Sequence, residues 1–220
     1  MIWSLMLGLI FSGSACRPRS LETHPPELLV FAATSLSDVL GEIGGVFQSR
    51  VEVDLIFNFN GSNVLAHQIL ASPKADVFVS ADEDWMNVVQ QADRVEAGTR
   101  RSLLSNQLAI IGHAGSSREI RLATDLCRLD FRLLALGDPE AVPAGRYAKQ
   151  WLQIWACQDR GLWETVAGRI SPAPNVRAVI GQVEAADEIL GIVYQTDFAA
   201  ARDRVQLLYS VPSDDGPPIR

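Results

Sequence analysis

The sequence predicts a parallel α/β protein built as two lobes, and three observations carry that expectation. Strand-like apolar runs alternate with segments of helical spacing from Leu28 to Tyr209, the pattern of repeated strand, helix, strand units. A chain of 220 residues is long enough for two small lobes, each with its own core. With 48% hydrophobic and 20% charged residues it is composed like a globular protein, which sets aside the disordered and fibrous classes.

Residues 1–16 come first, an apolar run broken by Ser4 and Gly8 and followed by small residues. A mature bilayer-spanning helix needs roughly 20 apolar residues, so this run reads as an export signal. Its end, Gly13-Ser14-Ala15-Cys16, resembles a lipobox, in which the cysteine is acylated and becomes the first mature residue. Residues 17–26, rich in Pro and polar groups, then read as a tether. Cys127 and Cys157 remain after processing. An oxidising compartment permits them to pair, and two free buried thiols fit the spacing equally well.

Residues 28–32 read as a short strand. At 51–58, Val51, Val53, Leu55 and Phe57 alternate with Glu52, Asp54, Ile56 and Asn58, the period of a second. Between them Leu36, Val39, Leu40, Ile43 and Phe47 fall at helical spacing. Gly41, Gly44 and Gly45 weaken that helix and suit close packing on a sheet. A helix over 64–70, a strand over 76–79 and a helix over 83–91 continue the alternation. The strand at 108–111 carries the chain out of the first lobe. A strand at 133–136 and helices at 144–155, 162–167 and 176–185 follow. The strand at 190–194 leads back, and one at 205–209 is the last. The lobes are thus expected over 27–106 with 196–220, and over 107–195, with a ligand cleft between them.

The formal net charge of -7 argues against a nucleic-acid binder, which needs surplus Lys and Arg to neutralise phosphates. Overall charge cannot steer an anion inward either, so any anion site must come from local donors. Four turn-to-helix junctions supply such donors. Ala33-Thr34-Ser35-Leu36 and Asn60-Gly61-Ser62-Asn63 follow the first two strands, Val142-Pro143-Ala144-Gly145 puts a proline where helices begin, and Asn175 before Val176 is a capping residue. Each opening leaves backbone N–H groups without internal partners and carries partial positive charge. Ser35 and Ser62 can add hydroxyls. A serine opening a helix is by itself an ordinary cap, and it is the set of four that points to a ligand. Tyr194 ends the run Gly191-Ile192-Val193-Tyr194, where it serves either as a core-edge residue or as a phenol aimed into a cleft.

Enzymatic signals are poor. The stretch around Ser62 lacks the glycines of a nucleophile elbow, and no phosphate-binding glycine loop occurs. His24, His67 and His113 show no metal spacing with one another or with cysteine. No catalytic residue and no cofactor is expected, and Asp82, Glu83 and Asp84 read as a solvated acidic run at a helix start.

Five stretches together resemble the periplasmic molybdate-binding proteins of ABC importers (the ModA family): Val30-Phe31-Ala32-Ala33-Thr34-Ser35-Leu36; Asn60-Gly61-Ser62; Ala75-Asp76-Val77-Phe78-Val79-Ser80-Ala81-Asp82; Gly137-Asp138-Pro139-Glu140-Ala141-Val142-Pro143-Ala144-Gly145-Arg146-Tyr147-Ala148-Lys149; and Leu190-Gly191-Ile192-Val193-Tyr194. The long Gly-Asp-Pro segment is the specific one. The resemblance implies a two-lobed periplasmic-binding-protein fold of type II that closes on one tetrahedral oxyanion, molybdate or tungstate. It implies ligand contacts from Ser35 and Ser62 in the first lobe and from Ala144, Val176 and Tyr194 in the second or the hinge. Ala144 and Val176 would donate through the backbone, and molybdenum would be held as its oxyanion with no direct metal ligands. The implied partners are a membrane permease and an ATPase, the implied location is the periplasm or extracytoplasmic face, and Cys16 would be the lipid anchor. Family members continue past the equivalent of Ile219-Arg220 with a further strand and helix on the first lobe. Readings to be set against this are a binding protein for sulfate or ferric iron, a non-transport oxyanion sensor, and a hydrolase using Ser35 or Ser62.

Overall fold

The computed structural model describes residues 25–219; the expected signal at 1–16, with Cys16, and most of the tether lie outside them. The first half forms three strand-helix units: β1 (Glu27–Ala33), α1 (Ser37–Gln48), β2 (Asp54–Asn60), α2 (Ser62–Ala71), β3 (Val77–Val79) and α3 (Glu83–Gln91). Their strands make a parallel sheet in the order β2-β1-β3, with Ala33 level with Asn60. That register brings the two strand ends, and the helix openings that follow them, to one edge. The strand expected at 51–58 begins later, at Asp54, because residues 49–53 turn back on the end of α1: Val51 N–H donates to Phe47 O and Val53 N–H to Val51 O. Pro26, assigned to the tether, already belongs to the fold, since its carbonyl accepts from Asp54 N–H at 2.9 Å.

The second half contains β4 (Leu108–His113), β5 (Leu133–Gly137), α4 (Pro143–Gln153), the hairpin β6 (Ala156–Cys157) and β7 (Arg160–Gly161), α5 (Leu162–Val166), β8 (Ile170–Ala173), α6 (Val176–Ala185), β9 (Ile189–Tyr194), α7 (Gln195–Ala201) and β10 (Val205–Ser210). A five-stranded sheet runs β10-β4-β9-β5-β8. In it β5 is parallel to β8 and β9, and β4 is antiparallel to β9 and β10. All six residues of β9 are buried, as expected of an unbroken apolar run in the middle of a covered sheet.

Two expectations about the lobes are corrected here. Residues 196–219 do not join the first lobe: β10 pairs along β4, and α7 packs on β4, β9 and β10, burying Ala201, Val205 and Leu208 in the second core. Nor does the strand at 190–194 lead back, since β9 is interior to the second sheet. Among the described residues the chain crosses between the sheets once, between Gln91 and Leu108, and Ile219 then returns beside that crossing through a single antiparallel bridge to Asn106. The strand β8, the hairpin and α7 escaped the sequence reading, because Ile170–Ala173 carries a proline and the other segments are short.

The two lobes differ in substance. The second holds a large continuous core around Trp151, Leu134, Leu136, Ile180 and Leu190, whereas the first has a small one of Ala66, Ile69 and Val89. On α1, Ile43 and Val46 remain 56% and 53% exposed, so that helix is held on one side only. Of its three glycines only Gly44 meets the sheet; a Cβ there would lie 3.0 Å from the Phe57 ring.

Cys127 and Cys157 form a disulfide across 30 positions, tying the turn at Ala123–Cys127 to the hairpin. The spacing left pairing and free thiols open; the fold decides it by placing the two Cα atoms 5.6 Å apart. Closing a loop of this length in the unfolded chain is worth about 3 to 4 kcal/mol. Replacing both cysteines by serine is therefore expected to lower the unfolding free energy by about that amount in urea titration, and dithiothreitol should produce the same loss in the unmodified chain but none in the double variant.

Candidate functional site

A small cavity lies where the two sheets' helix openings meet. It holds about 250 Å³ of atom-free space, counting the part open to solvent at the mouth. A single small ion is the right scale of occupant. All five residues expected at a ligand, Ser35, Ser62, Ala144, Val176 and Tyr194, line this one cavity, and no charged side chain lines it.

Each opening arrives by a local rule. The 3-10 turn Thr34–Leu36 follows β1 directly, and Ser62 is the first residue of α2 after the extended Gly61. Pro143 opens α4, its fixed φ suiting a first-turn position and its missing N–H costing nothing there. The helix is then pressed against the end of β5, because a Cβ on Gly145 would lie 1.8 Å from the Gly137 carbonyl oxygen; only glycine allows that approach. At α6, Asn175 Oδ1 accepts from Ala178 N–H at 3.0 Å. This cap satisfies the third helical amide and leaves those of Val176 and Arg177 without an intrahelical acceptor.

The side chains add hydroxyl donors. Ser62 is 1% exposed and its oxygen accepts from Ala81 N–H at 2.9 Å, so its own hydrogen remains to be given away. It is not a helix cap, since α2 has no side-chain capping bond. Tyr194 is buried at the end of β9 with its hydroxyl unpartnered, and the Thr34 hydroxyl is likewise buried and unpartnered. Burial pushes the Tyr194 pKa well up, with Tyr147, Asp197 and Asp82 nearby adding to the shift, so the phenol stays neutral and able to donate. Buried hydroxyls without partners are uncommon in folded proteins, and two on one cavity wall mark a place built to complete its hydrogen bonds with something else.

Sequence reasoning missed Thr34, Asn60 and Ala81 on this wall. Thr34 was within its reach, standing beside Ser35 in the same junction. Ala81 was not, because it acts through its backbone on Ser62. Asp82 corrects the solvated reading of the acidic run: it is 5% exposed, its Oδ1 caps α3 by accepting from Trp85 N–H at 3.0 Å, and its Oδ2 pairs with Arg146 of the other lobe at 3.3 Å.

Further contacts bridge the lobes around the cavity. Arg146 also pairs with Asp84, Trp85 Nε1 donates to Ala141 O at 2.8 Å, and Arg177 donates to Asp38 Oδ2 at 2.5 Å and to Ser37 Oγ at 3.2 Å. Behind Tyr194, Asp197 is buried. Its Oδ2 accepts from Tyr194 N–H at 3.2 Å and its Oδ1 has no partner. Desolvation raises its pKa from 3.8 to about 7, against the lowering pull of the Tyr194 hydrogen bond and of Arg177.

Residues 28–220 match the family of bacterial extracellular solute-binding proteins. The chain is 36% identical over 192 residues to the molybdate-binding protein ModA of Escherichia coli (strain K12), covering 86% of this chain and 72% of that one. It is 31% identical to the Haemophilus influenzae protein of the same name, over 97% of this chain and 79% of the relative. The solved periplasmic molybdate-binding protein of Azotobacter vinelandii shares the fold with a TM-score of 0.73 at 23% identity, over 87% of this chain and 82% of that one.

The Asp197 carboxyl ties stability to pH. Between about pH 4 and 7 the folded state keeps a proton that the unfolded chain has released, so its contribution is complete below pH 4 and is lost as pH rises through about 7. Asp197→Asn, which keeps an acceptor for Tyr194 N–H, should flatten that part of the Tm profile and raise Tm at pH 8; an unchanged slope in calorimetry would mean the carboxyl ionises normally.

Proposed function

The chain belongs to the molybdate-binding proteins within the bacterial extracellular solute-binding family, and on that premise we propose that it captures molybdate or tungstate in the inter-lobe cavity and delivers it to an ABC importer. The observation that carries this reading is the meeting of four helix openings and two unpartnered buried hydroxyls around a cavity of ionic size with no charged wall. A buried dianion must have its lost hydration replaced by fixed hydrogen bonds, since an uncompensated buried charge is very costly. Ser35, Ser62 and Tyr194 would give hydroxyls, and Ala144 and Val176 would give backbone N–H groups. Thr34 joins them as a further hydroxyl.

With neutral donors only, selection rests on size and donor geometry. Molybdate and tungstate are larger than sulfate, so donors set for them hold sulfate at poor distances. Delivery requires a membrane permease and an ATPase that recognise the closed, loaded form. The disulfide suits an exported chain, because such bonds persist in oxidising compartments. Anchoring through Cys16 is part of the same proposal and rests on the lipobox-like sequence alone.

A thermal-shift series with molybdate, tungstate, sulfate and phosphate tests the reading. Molybdate at a hundred times its dissociation constant should add about 2.7 kcal/mol, a rise of about 5 to 10 °C for a domain of this size. A shift with sulfate and none with molybdate or tungstate would reassign the ligand. Ser62→Ala should weaken molybdate binding by about 1.5 to 3 kcal/mol in titration calorimetry, and an unaltered Kd would remove its hydroxyl from the contact set.

A further inference from the structure

Arg146 and Arg177 stand in matching places. Each lies in the first turn of a second-lobe helix whose opening residues line the cavity, Arg146 in α4 and Arg177 in α6, yet neither lines the cavity itself. Each instead crosses to the first lobe. Arg146 forks between Asp82 and Asp84 at the opening of α3, and Arg177 reaches Asp38 and Ser37 at the opening of α1. The two arginine side chains are only partly exposed, at 28% and 26%.

We infer that Arg146 and Arg177 are the residues that set lobe closure: rooted beside the ligand donors of the second lobe and paired with carboxylates of the first, they hold the cleft shut over an anion they do not touch. The inference rests on the oxyanion-binding reading and adds to it the determinant of ligand residence. An anion enters the open form and leaves only after reopening, so contacts that exist only in the closed form slow exit with little effect on entry. They also raise the fraction of protein already closed, and apparent affinity follows that fraction.

The two clamps are unequal. Opening on the Arg146 side takes a guanidinium away from the buried Asp82 carboxylate and breaks the neighbouring Trp85–Ala141 hydrogen bond. Removing one partner of a buried charge costs far more than removing one from a wet pair. On the other side Asp38 is 61% exposed, so water replaces Arg177 readily and the pair is worth less.

Stopped-flow kinetics with molybdate, together with spin-label distances between one label per lobe in the unliganded protein, separate the outcomes. Arg146→Gln should raise the molybdate off-rate roughly three- to tenfold and Arg177→Gln about two- to threefold, with on-rates within about twofold of the unmodified protein. Both should lengthen the inter-lobe distance, and the swap Arg177→Asp with Asp38→Arg should reverse the rise in off-rate produced by Arg177→Asp alone. Unchanged distances and off-rates would overturn the clamp. So would slower on-rates at constant off-rate, which would make the arginines steering charges. If the unmodified protein takes up no molybdate while the variants still open in the label measurement, the clamp stands and the proposed ligand falls.

Discussion

Taking a doubly negative ion out of water without a positive side chain beside it is the constraint on which this molecule depends. Hydration must be exchanged for oriented N–H and O–H groups, and each lobe must hold its own share of them in fixed directions before the two close. A helix opening meets that demand because its first amides cannot be satisfied from within the helix. One opening offers too few donors; four meeting at a small cavity, with the Ser62, Tyr194 and Thr34 hydroxyls between them, offer a shell. The net charge of -7 makes the arrangement more telling, since the whole-molecule field would repel the very ligand that the local donors attract.

The architecture serves that shell unevenly. Most of the apolar core lies under the five-stranded sheet, which fixes α4, α6 and Tyr194 as a rigid half. The first lobe, with its small core and a helix held on one side, brings the Thr34 to Ser35 turn and Ser62. Parallel registration of β1 with β2 keeps these two junctions level, so they approach the cavity as one edge. The Asp82 to Arg146 pair and the Trp85 to Ala141 hydrogen bond then join the halves beside the cavity.

Much of the fold and of the site could be read from the sequence, for physical reasons that differ by element. Helices α3 and α6 came out at the bounds the structure gives, because acidic first turns, an Asn cap and regular apolar spacing all agree there. The junction residues Ser35, Ser62, Ala144 and Val176 were legible because turn-to-helix junctions announce themselves through Ser, Pro and Asn, whereas Tyr194, at a strand end, was singled out by the family resemblance, since spacing alone favours a core-edge tyrosine. What failed was long-range pairing. Nothing local in 205–210 says that its partner is β4 of the second sheet, since alternating apolar residues would suit an edge strand of either lobe. The Asp82 role failed for a related reason: an acidic run at a helix start is normally wet, and only the approach of Arg146 from 64 positions away dries it. The disulfide lay beyond reach likewise, because spacing says nothing of the 5.6 Å that separates the two Cα atoms.

The backbone donors proposed at Ala144 and Val176 carry a consequence for inheritance. A contact made by the main chain survives exchange of the side chain above it, provided the helix still opens at the same point. The hydrogen given at those two positions does not depend on the side chain, although burial at 1% and 4% exposure still limits the size of residue that fits there. The constraint falls instead on the residues that set the helix openings: Gly145, which lets α4 press against β5, and Asn175, which sets where α6 begins. Recognition in such a molecule is stored in the placement of helices more than in the identity of the residues nearest the guest.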